Sequence, residues 1–380
     1  MSAPDMYRSL GLKPIINCAT TYTRIGGSVM APHVAQAMAD AAGCYVNIFD
    51  LQEALGNRLA ELTHNESAYV SNGAAAGLAL AIAACVTGDD PALMARLPNN
   101  LEGMKNEVIV HRTQRNWYDI AVRQVGVTLI EIGHIMETAP WELDAAINEK
   151  TAAVVYFAGT HLNRNTLPLE FVVERAHARG VPVIVDAAAQ TPPISNLWHF
   201  TRECAADIAI FSGGKYLAGP QNSGLVVGSD AIIKNMRVNG PPNQRIGRAM
   251  KTSKESMMGL LAAVEHALSQ DEAKLWQDWS ATVDQWLDAW IERAPLGVDV
   301  WRDNQNEAGE PIPRVLMRFG RDAAWNRDQF IETLRGGDPI IEVVLNDPTS
   351  IAYSPHLLQG EEAAHVARVV NDLLLSEPSR

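Results

Sequence analysis

Short apolar runs recur between residues 67 and 228, each closed by a polar residue or a glycine-rich turn: Ser67–Val70, Glu107–Val110, Val127–Ile132, Ala152–Phe157, Val181–Asp186 and Ala206–Phe211, with a further run ending at Gly228. Their uninterrupted, β-branched character marks strands buried on both faces. Between them lie stretches with apolar residues near helical spacing, at Leu78–Cys85, Trp141–Asn148 and Glu170–Arg179, preceded by Pro32–Ala42 and Leu51–Leu62. This alternation predicts an α/β architecture, a mostly parallel sheet covered by helices. After the long helix expected at Glu255–Ser269 the pattern changes to a helix from Trp276, strands at Val315–Phe319, Ile340–Leu345 and Ser350–Ser354, and helices at Ala324–Leu334 and Glu361–Leu375. That mixture reads as a smaller α+β domain. The expected division is an N-terminal arm (1–50), a large domain (51–254) and a small C-terminal domain (255–380). Within the arm, Gly11–Tyr22 reads as a short strand running into a polar loop that closes no core.

Composition narrows the partners. The 380 residues are 47% hydrophobic and 20% charged, with a formal net charge of −13, which argues against a broad nucleic-acid surface. The four cysteines are widely separated and no histidine cluster stands at ligand spacing, so neither a disulfide framework nor a metal site is expected. The N-terminus lacks the basic and apolar regions of a secretory signal, and no apolar run approaches membrane-spanning length. A cytoplasmic protein with no membrane partner is the expectation.

The candidate chemistry gathers at the ends of the expected strands, where open parallel sheets bind ligands. Asp186 ends one strand, and Lys215 follows the Ser212-Gly213-Gly214 turn that ends another. Alone, Lys215 reads as a surface lysine and Asp186 as a helix cap. Together they match the two groups that pyridoxal 5'-phosphate requires, an amine for a Schiff base with its aldehyde and a carboxylate to hold its ring nitrogen protonated. Upstream, Ser71-Asn72-Gly73-Ala74-Ala75-Ala76-Gly77 joins a strand to a helix start, which offers free backbone N–H groups and the positive end of the helix dipole to a phosphate. The same small residues also suit tight packing of a helix on a sheet. The segment has neither the Gly-Lys-Ser/Thr of a nucleotide P-loop nor the Gly-x-Gly-x-x-Gly of a dinucleotide fold. His111, at a strand end, is placed to stack on the cofactor ring. Thr160, His161 and Arg164 after Phe157, Arg112 after His111, and Thr20 and Tyr22 in the arm are candidates to face a substrate.

In this order of motifs the sequence resembles the fold-type I pyridoxal-phosphate enzymes of the aspartate aminotransferase superfamily. More narrowly it is similar to the selenocysteine synthase-like branch, through Ile16-Asn17-Cys18-Ala19-Thr20, Ser71-Asn72-Gly73-Ala74-Ala75-Ala76 and Phe211-Ser212-Gly213-Gly214-Lys215-Tyr216-Leu217-Ala218-Gly219-Pro220-Gln221. Two departures, a beginning almost directly on the catalytic-domain motif and the basic segment His111-Arg112-Thr113-Gln114-Arg115-Asn116, bring it nearer to the metabolic, ammonia-lyase-like members. The resemblance implies that Lys215 carries the cofactor and Asp186 pairs with its ring nitrogen. It further implies that Gly73, Ala74 and Ser212 bind its phosphate, His111 stacks on one ring face, Ala188 packs on the other and Gln190 reaches its phenolic oxygen. A homodimer or higher homo-oligomer is implied as well.

The expected reaction is removal of ammonia from a β-hydroxy amino acid or amino-sugar acid, by α-proton abstraction and β-elimination, to give a 2-keto acid. Racemisation, retro-aldol cleavage and transamination use the same core groups. A transferase acting on aminoacyl-tRNA and a non-catalytic cofactor-binding protein are the readings from other classes.

Overall fold

The computed structural model describes residues 3–378. Among them twelve strands form: β1 (Ile15–Cys18), β2 (Ser67–Ser71), β3 (Glu107–His111), β4 (Thr128–Ile132), β5 (Thr151–Phe157), β6 (Val183–Asp186), β7 (Ile208–Ser212), β8 (Gly224–Gly228), β9 (Val298–Asp303), β10 (Arg314–Phe319), β11 (Ile340–Asp347) and β12 (Ser350–Tyr353). They make a seven-stranded and a five-stranded sheet. The chain divides into two compact units, one of residues Ser28–Ser269, the other of residues up to Gly27 with those from Gln270 onward.

In the larger unit the strand order is β2-β8-β7-β6-β5-β3-β4. From β7 to β4 all neighbours are parallel, whereas β8 runs antiparallel to both β7 and β2. The carboxyl ends of β2, β3, β5, β6 and β7 therefore share one edge. Every residue of β5 is buried, as its unbroken apolar run requires. Val154 and Tyr156 belong to a core with Leu59, Val172 and Leu260, while Val155 and Phe157 belong to a second with Leu78, Ile82 and Met236. The helix Gly73–Thr87 lies in that second core and is apolar on nearly all sides.

The smaller unit is built on the order β1-β11-β12-β10-β9, with β1 parallel to β11 and the other neighbours antiparallel. Its core centres on the helix Glu272–Ile291, where Trp286 and Trp290 stack with centroids 5.2 Å apart and Tyr353 lies 4.9 Å from Trp290. Among the described residues no helix is long and apolar enough to cross a membrane.

The strands and helices expected within the larger unit form at the expected places, but the domain boundaries differ. The helix Lys254–Ser269 belongs to the larger unit, because Met257, Leu260, Val264 and Ala267 enter its core. The opening strand does close a core. Ile16 and Cys18 are buried with Trp286 and Tyr353, and Ile15 pairs with Ile340. The helix Asp230–Asn239 and the half-exposed edge strand β9 carried too weak an apolar pattern to be anticipated.

Trp286 is 2% exposed and its Nε1 donates to the Ala363 carbonyl at 3.1 Å. Trp286→Ala is expected to lower stability by about 3–5 kcal/mol, read as a fall in the denaturant midpoint of the smaller unit's tryptophan fluorescence.

Candidate active site

Strands β6 and β7 are parallel neighbours, with Asp186 paired to Ile210. Their ends bring the Asp186 carboxylate within electrostatic reach of Lys215. Burial pushes the Asp186 carboxyl above its ordinary value; the Ala188 N–H, donating to Oδ1 at 3.0 Å, and the Lys215 charge act in the opposite direction. A carboxylate so placed gains strongly from a cationic partner. The lysine turn is held from outside the strand: Ser28 N–H donates to the Gly214 carbonyl at 3.1 Å, and Ser28 Oγ lies 3.0 Å from that carbonyl and 2.8 Å from the Lys215 carbonyl. Lys215 N–H closes the turn on the Ser212 carbonyl at 3.5 Å.

At the same edge Asn72 precedes the helix Gly73–Thr87, and no side chain caps its first turn. The N–H groups of Gly73, Ala74 and Ala75 thus point out of the helix with the positive end of its dipole. Ser71 Oγ does not point outward; it donates to the Gly73 carbonyl at 2.8 Å and lies 3.3 Å from that of Gly224. Gly224 admits this arrangement. A Cβ there would lie 2.5 Å from Gly73 C and 2.6 Å from both the Gly73 oxygen and Ser71 Oγ. An uncapped helix start, a carboxylate seeking a cation and a lysine at adjacent strand ends match the phosphate, ring nitrogen and aldehyde of pyridoxal phosphate respectively.

His111 departs from its expected place. It is fully buried, on the face of the sheet it shares with Tyr156, whose ring it meets edge-on at 5.7 Å. Asp186 is registered with Phe157, one residue further along β5, and so faces the other side. His111 therefore does not stack over a ring bound at Asp186. Its Nε2 accepts the Leu167 N–H at 3.3 Å, and burial pushes its pKa down to about 4 against smaller upward pulls from Gln114 and Glu142.

Arg112 is engaged elsewhere too, its Nε donating to Glu131 on β4 at 3.0 Å. Arg115 joins the same carboxylate and Asp119. Thr160, His161 and Arg164 are exposed on the loop after β5, and a Cβ on Gly159 would lie 3.2 Å from the His161 ring and 3.5 Å from Gln190 Nε2. Gln190 Nε2 itself donates to the Ala189 carbonyl at 2.7 Å. Thr20 and Tyr22 belong to the smaller unit. There the Thr20 carbonyl accepts from Asn17 and Tyr22 lies under the Arg24 guanidinium, which pairs with buried Glu342 at 2.6 Å. Sequence reasoning missed Ser28, Gly224 and Gln114. Ser28 follows two glycines in a stretch that reads as a loop, and its partners stand 186 and 187 positions away.

Residues 50–258 match the family described as "Cys/Met metabolism PLP-dependent enzyme". The chain is 34% identical over 381 residues to D-glucosaminate-6-phosphate ammonia lyase of Salmonella typhimurium, covering 96% of this chain and 97% of the relative. It is 32% identical over 385 residues to 5'-C-glycyluridine monooxygenase-decarboxylase of a Streptomyces species, covering 97% and 92% respectively. A solved structure of D-glucosaminate-6-phosphate ammonia-lyase aligns with a TM-score of 0.83 at 31% identity, over 98% of this chain and 99% of that one.

Gly224→Ala forces the Gly73 backbone and the Ser71 side chain away from β8, and cofactor affinity is expected to fall about tenfold or more, measured by titrating the stripped protein with pyridoxal phosphate. A second expectation concerns acid. His111 is held neutral when folded, with its value lowered from 6.5 to about 4. Its contribution is therefore intact above pH 6.5 and is lost as pH falls toward 4. The loss amounts to as much as about 3 kcal/mol. The stability difference between wild type and His111→Gln should change by that amount across this window; a constant difference would contradict it.

Proposed function

We infer that this chain, which belongs to the Cys/Met-metabolism family of pyridoxal-phosphate-dependent enzymes, is a lyase that releases ammonia from a β-hydroxy amino acid or an amino-sugar acid and leaves a 2-keto acid. The observation that carries the reading is the Asp186–Lys215 pair at adjacent strand ends, in a chain that matches an ammonia lyase along nearly its whole length. When bound, pyridoxal phosphate supplies the aldehyde for covalent attachment and the electron sink for charge developing at a substrate α-carbon.

The chain's own groups divide the remaining work. The N–H groups of Gly73, Ala74 and Ala75 would bind the phosphate, with Ser212 at the end of β7 as a further candidate. Asp186, with its orientation set by the Ala188 N–H, would keep a proton on the ring nitrogen, and Ala188 would pack on the ring. Lys215 Nζ would hold the aldehyde and is the amine placed to accept the substrate α-proton. Loss of that proton and of the β-hydroxyl, followed by hydrolysis, converts the substrate to a 2-keto acid and ammonia with no net redox change. Gln190 would reach the cofactor's phenolic oxygen, and the exposed groups Thr160, His161 and Arg164 are the substrate-side candidates in this unit. The exposed side chains of Tyr45, Phe49, Trp117 and Tyr118 support an assembly of at least two copies. A cytoplasmic setting suits the small anionic substrate and the unpaired cysteines.

Incubation with D-glucosaminate, its 6-phosphate and both enantiomers of serine and threonine should release ammonia and keto acid in equal amounts from at least one of them. Glycine plus an aldehyde would replace the reading with retro-aldol cleavage, and loss of optical activity without ammonia would replace it with racemisation. The 32% relative gives a further outcome specific weight: uptake of dioxygen with release of carbon dioxide would make the chain an oxidative decarboxylase. Asp186→Ala should slow exchange of the substrate α-proton by about a hundredfold or more, while borohydride still fixes the cofactor on Lys215.

A further inference from the structure

The loop that follows β5 leaves the sheet beside Asp186, whose carbonyl accepts the Ala158 N–H at 2.9 Å. It turns sharply at Gly159, which has φ +149°, a value that side-chain-bearing residues rarely adopt, and whose carbonyl accepts from both Leu162 and Asn163 at 2.9 Å. That turn brings the His161 ring back toward Gln190. Residues 158–168 form no helix or strand, so their conformation is fixed by what lies beneath them.

Three buried side chains lie there. His111 Nε2 accepts the Leu167 N–H at 3.3 Å. Gln114, also fully buried, spans two points: its Nε2 donates to Asn163 Oδ1 at 3.1 Å and its Oε1 accepts the Phe157 N–H at 3.2 Å. The Tyr156 hydroxyl donates to the Leu167 carbonyl at 3.3 Å and lies 3.4 Å from Thr166 Oγ1. Both ends and the middle of the loop are thereby tied to β3, β5 and the turn after β3. A protonated imidazole would lose its acceptor nitrogen; burial keeps this one neutral.

We propose that His111 is a positioning residue for substrate binding: with Gln114 and Tyr156 it fixes the 158–168 loop, so that Thr160, His161 and Arg164 are presented to the substrate, and it makes no contact with the cofactor. The substrate-facing part of this assignment rests on the active-site reading above; the tie between His111 and the loop does not.

Two substitutions separate loop support from ring stacking, because each keeps what the other removes. His111→Phe retains an aromatic ring and has no acceptor, whereas His111→Gln retains an acceptor near the Nε2 position and has no ring. In the cofactor-loaded enzyme His111→Phe should speed amide hydrogen exchange across residues 158–168 and raise KM about tenfold, as for one lost buried hydrogen bond. The visible cofactor band, cofactor affinity and kcat should stay close to wild type. His111→Gln should restore both exchange protection and KM. The reverse pattern, with normal loop protection in His111→Phe and a shifted band or weakened cofactor binding in His111→Gln, would overturn the proposal. Should His111→Phe fold poorly, Gln114→Ala cuts the ties to Asn163 and Phe157 and should raise exchange over the same residues; unchanged exchange there would count equally against it. Exchange and cofactor spectra need no substrate, so absence of turnover on every amino-sugar acid would fall on the lyase reading alone.

Discussion

A carboxylate drawn partly out of water at the end of a central strand is the constraint around which the larger unit is arranged. Asp186 is partly buried, with the Ala188 N–H on Oδ1 and the Lys215 charge nearby, and burial raises its pKa above the ordinary carboxylate value. Such a group is tolerable in a native protein only where something recovers the desolvation cost. Here the recovery lies in adjacency. The parallel pairing of β6 and β7 sets the lysine turn beside the carboxylate, and Ser28 fixes that turn through its carbonyls. A cationic ring nitrogen held by Asp186 would add to that compensation.

The helix Gly73–Thr87 joins a partly exposed first turn, Gly73–Ala75, to a body that is buried almost throughout from Ala76 onward. An ordinary amphipathic helix would present a charged face to water, but this one carries Leu78, Leu80, Ile82 and Val86 among alanines and is buried along most of its length. The positive end of its dipole and the uncapped N–H groups of Gly73, Ala74 and Ala75 stand at the accessible end of that buried body, where an anion can reach them. Gly77 and Gly224 let the sheet approach the helix closely. The tight-packing reading of Ser71–Gly77 holds at Gly77, where a Cβ would lie 2.8 Å from Val226 and 3.2 Å from Ile210, and the same arrangement leaves the first turn accessible for the phosphate role proposed above.

Strands such as β5 were legible because burial on both faces writes itself as an unbroken apolar run, and Asp186 and Lys215 stood out as candidates because one ends such a run and the other follows the glycine turn after the next. What a run of that kind does not encode is which face a given side chain takes. Since strand residues alternate, a one-residue offset along β5 carries His111 with Tyr156 to the face opposite Phe157 and Asp186. Long-range partners were equally silent: nothing near Ile15 signals pairing with Ile340, and nothing near Ser28 signals the lysine turn. The boundary expected near residue 255 moved because Leu260 and Val264 share a core with Leu55 and Leu59.

The smaller unit's discontinuity bears on how a ribosome delivers the chain. Arg8 meets Asp338 across 330 positions, and β1 finds its sheet partner only in β11. At a synthesis rate of roughly 5–20 residues per second, the first strand waits on the order of 15–65 s for that partner to emerge. The apolar Ile16 and Cys18 are without their core for that interval, while Ser28–Ser269 has all its sheet partners within one continuous stretch. Vectorial synthesis therefore favours a nascent chain in which the cofactor-binding sheet is assembled first and its own N-terminal segment remains, for most of translation, a natural client for a holdase.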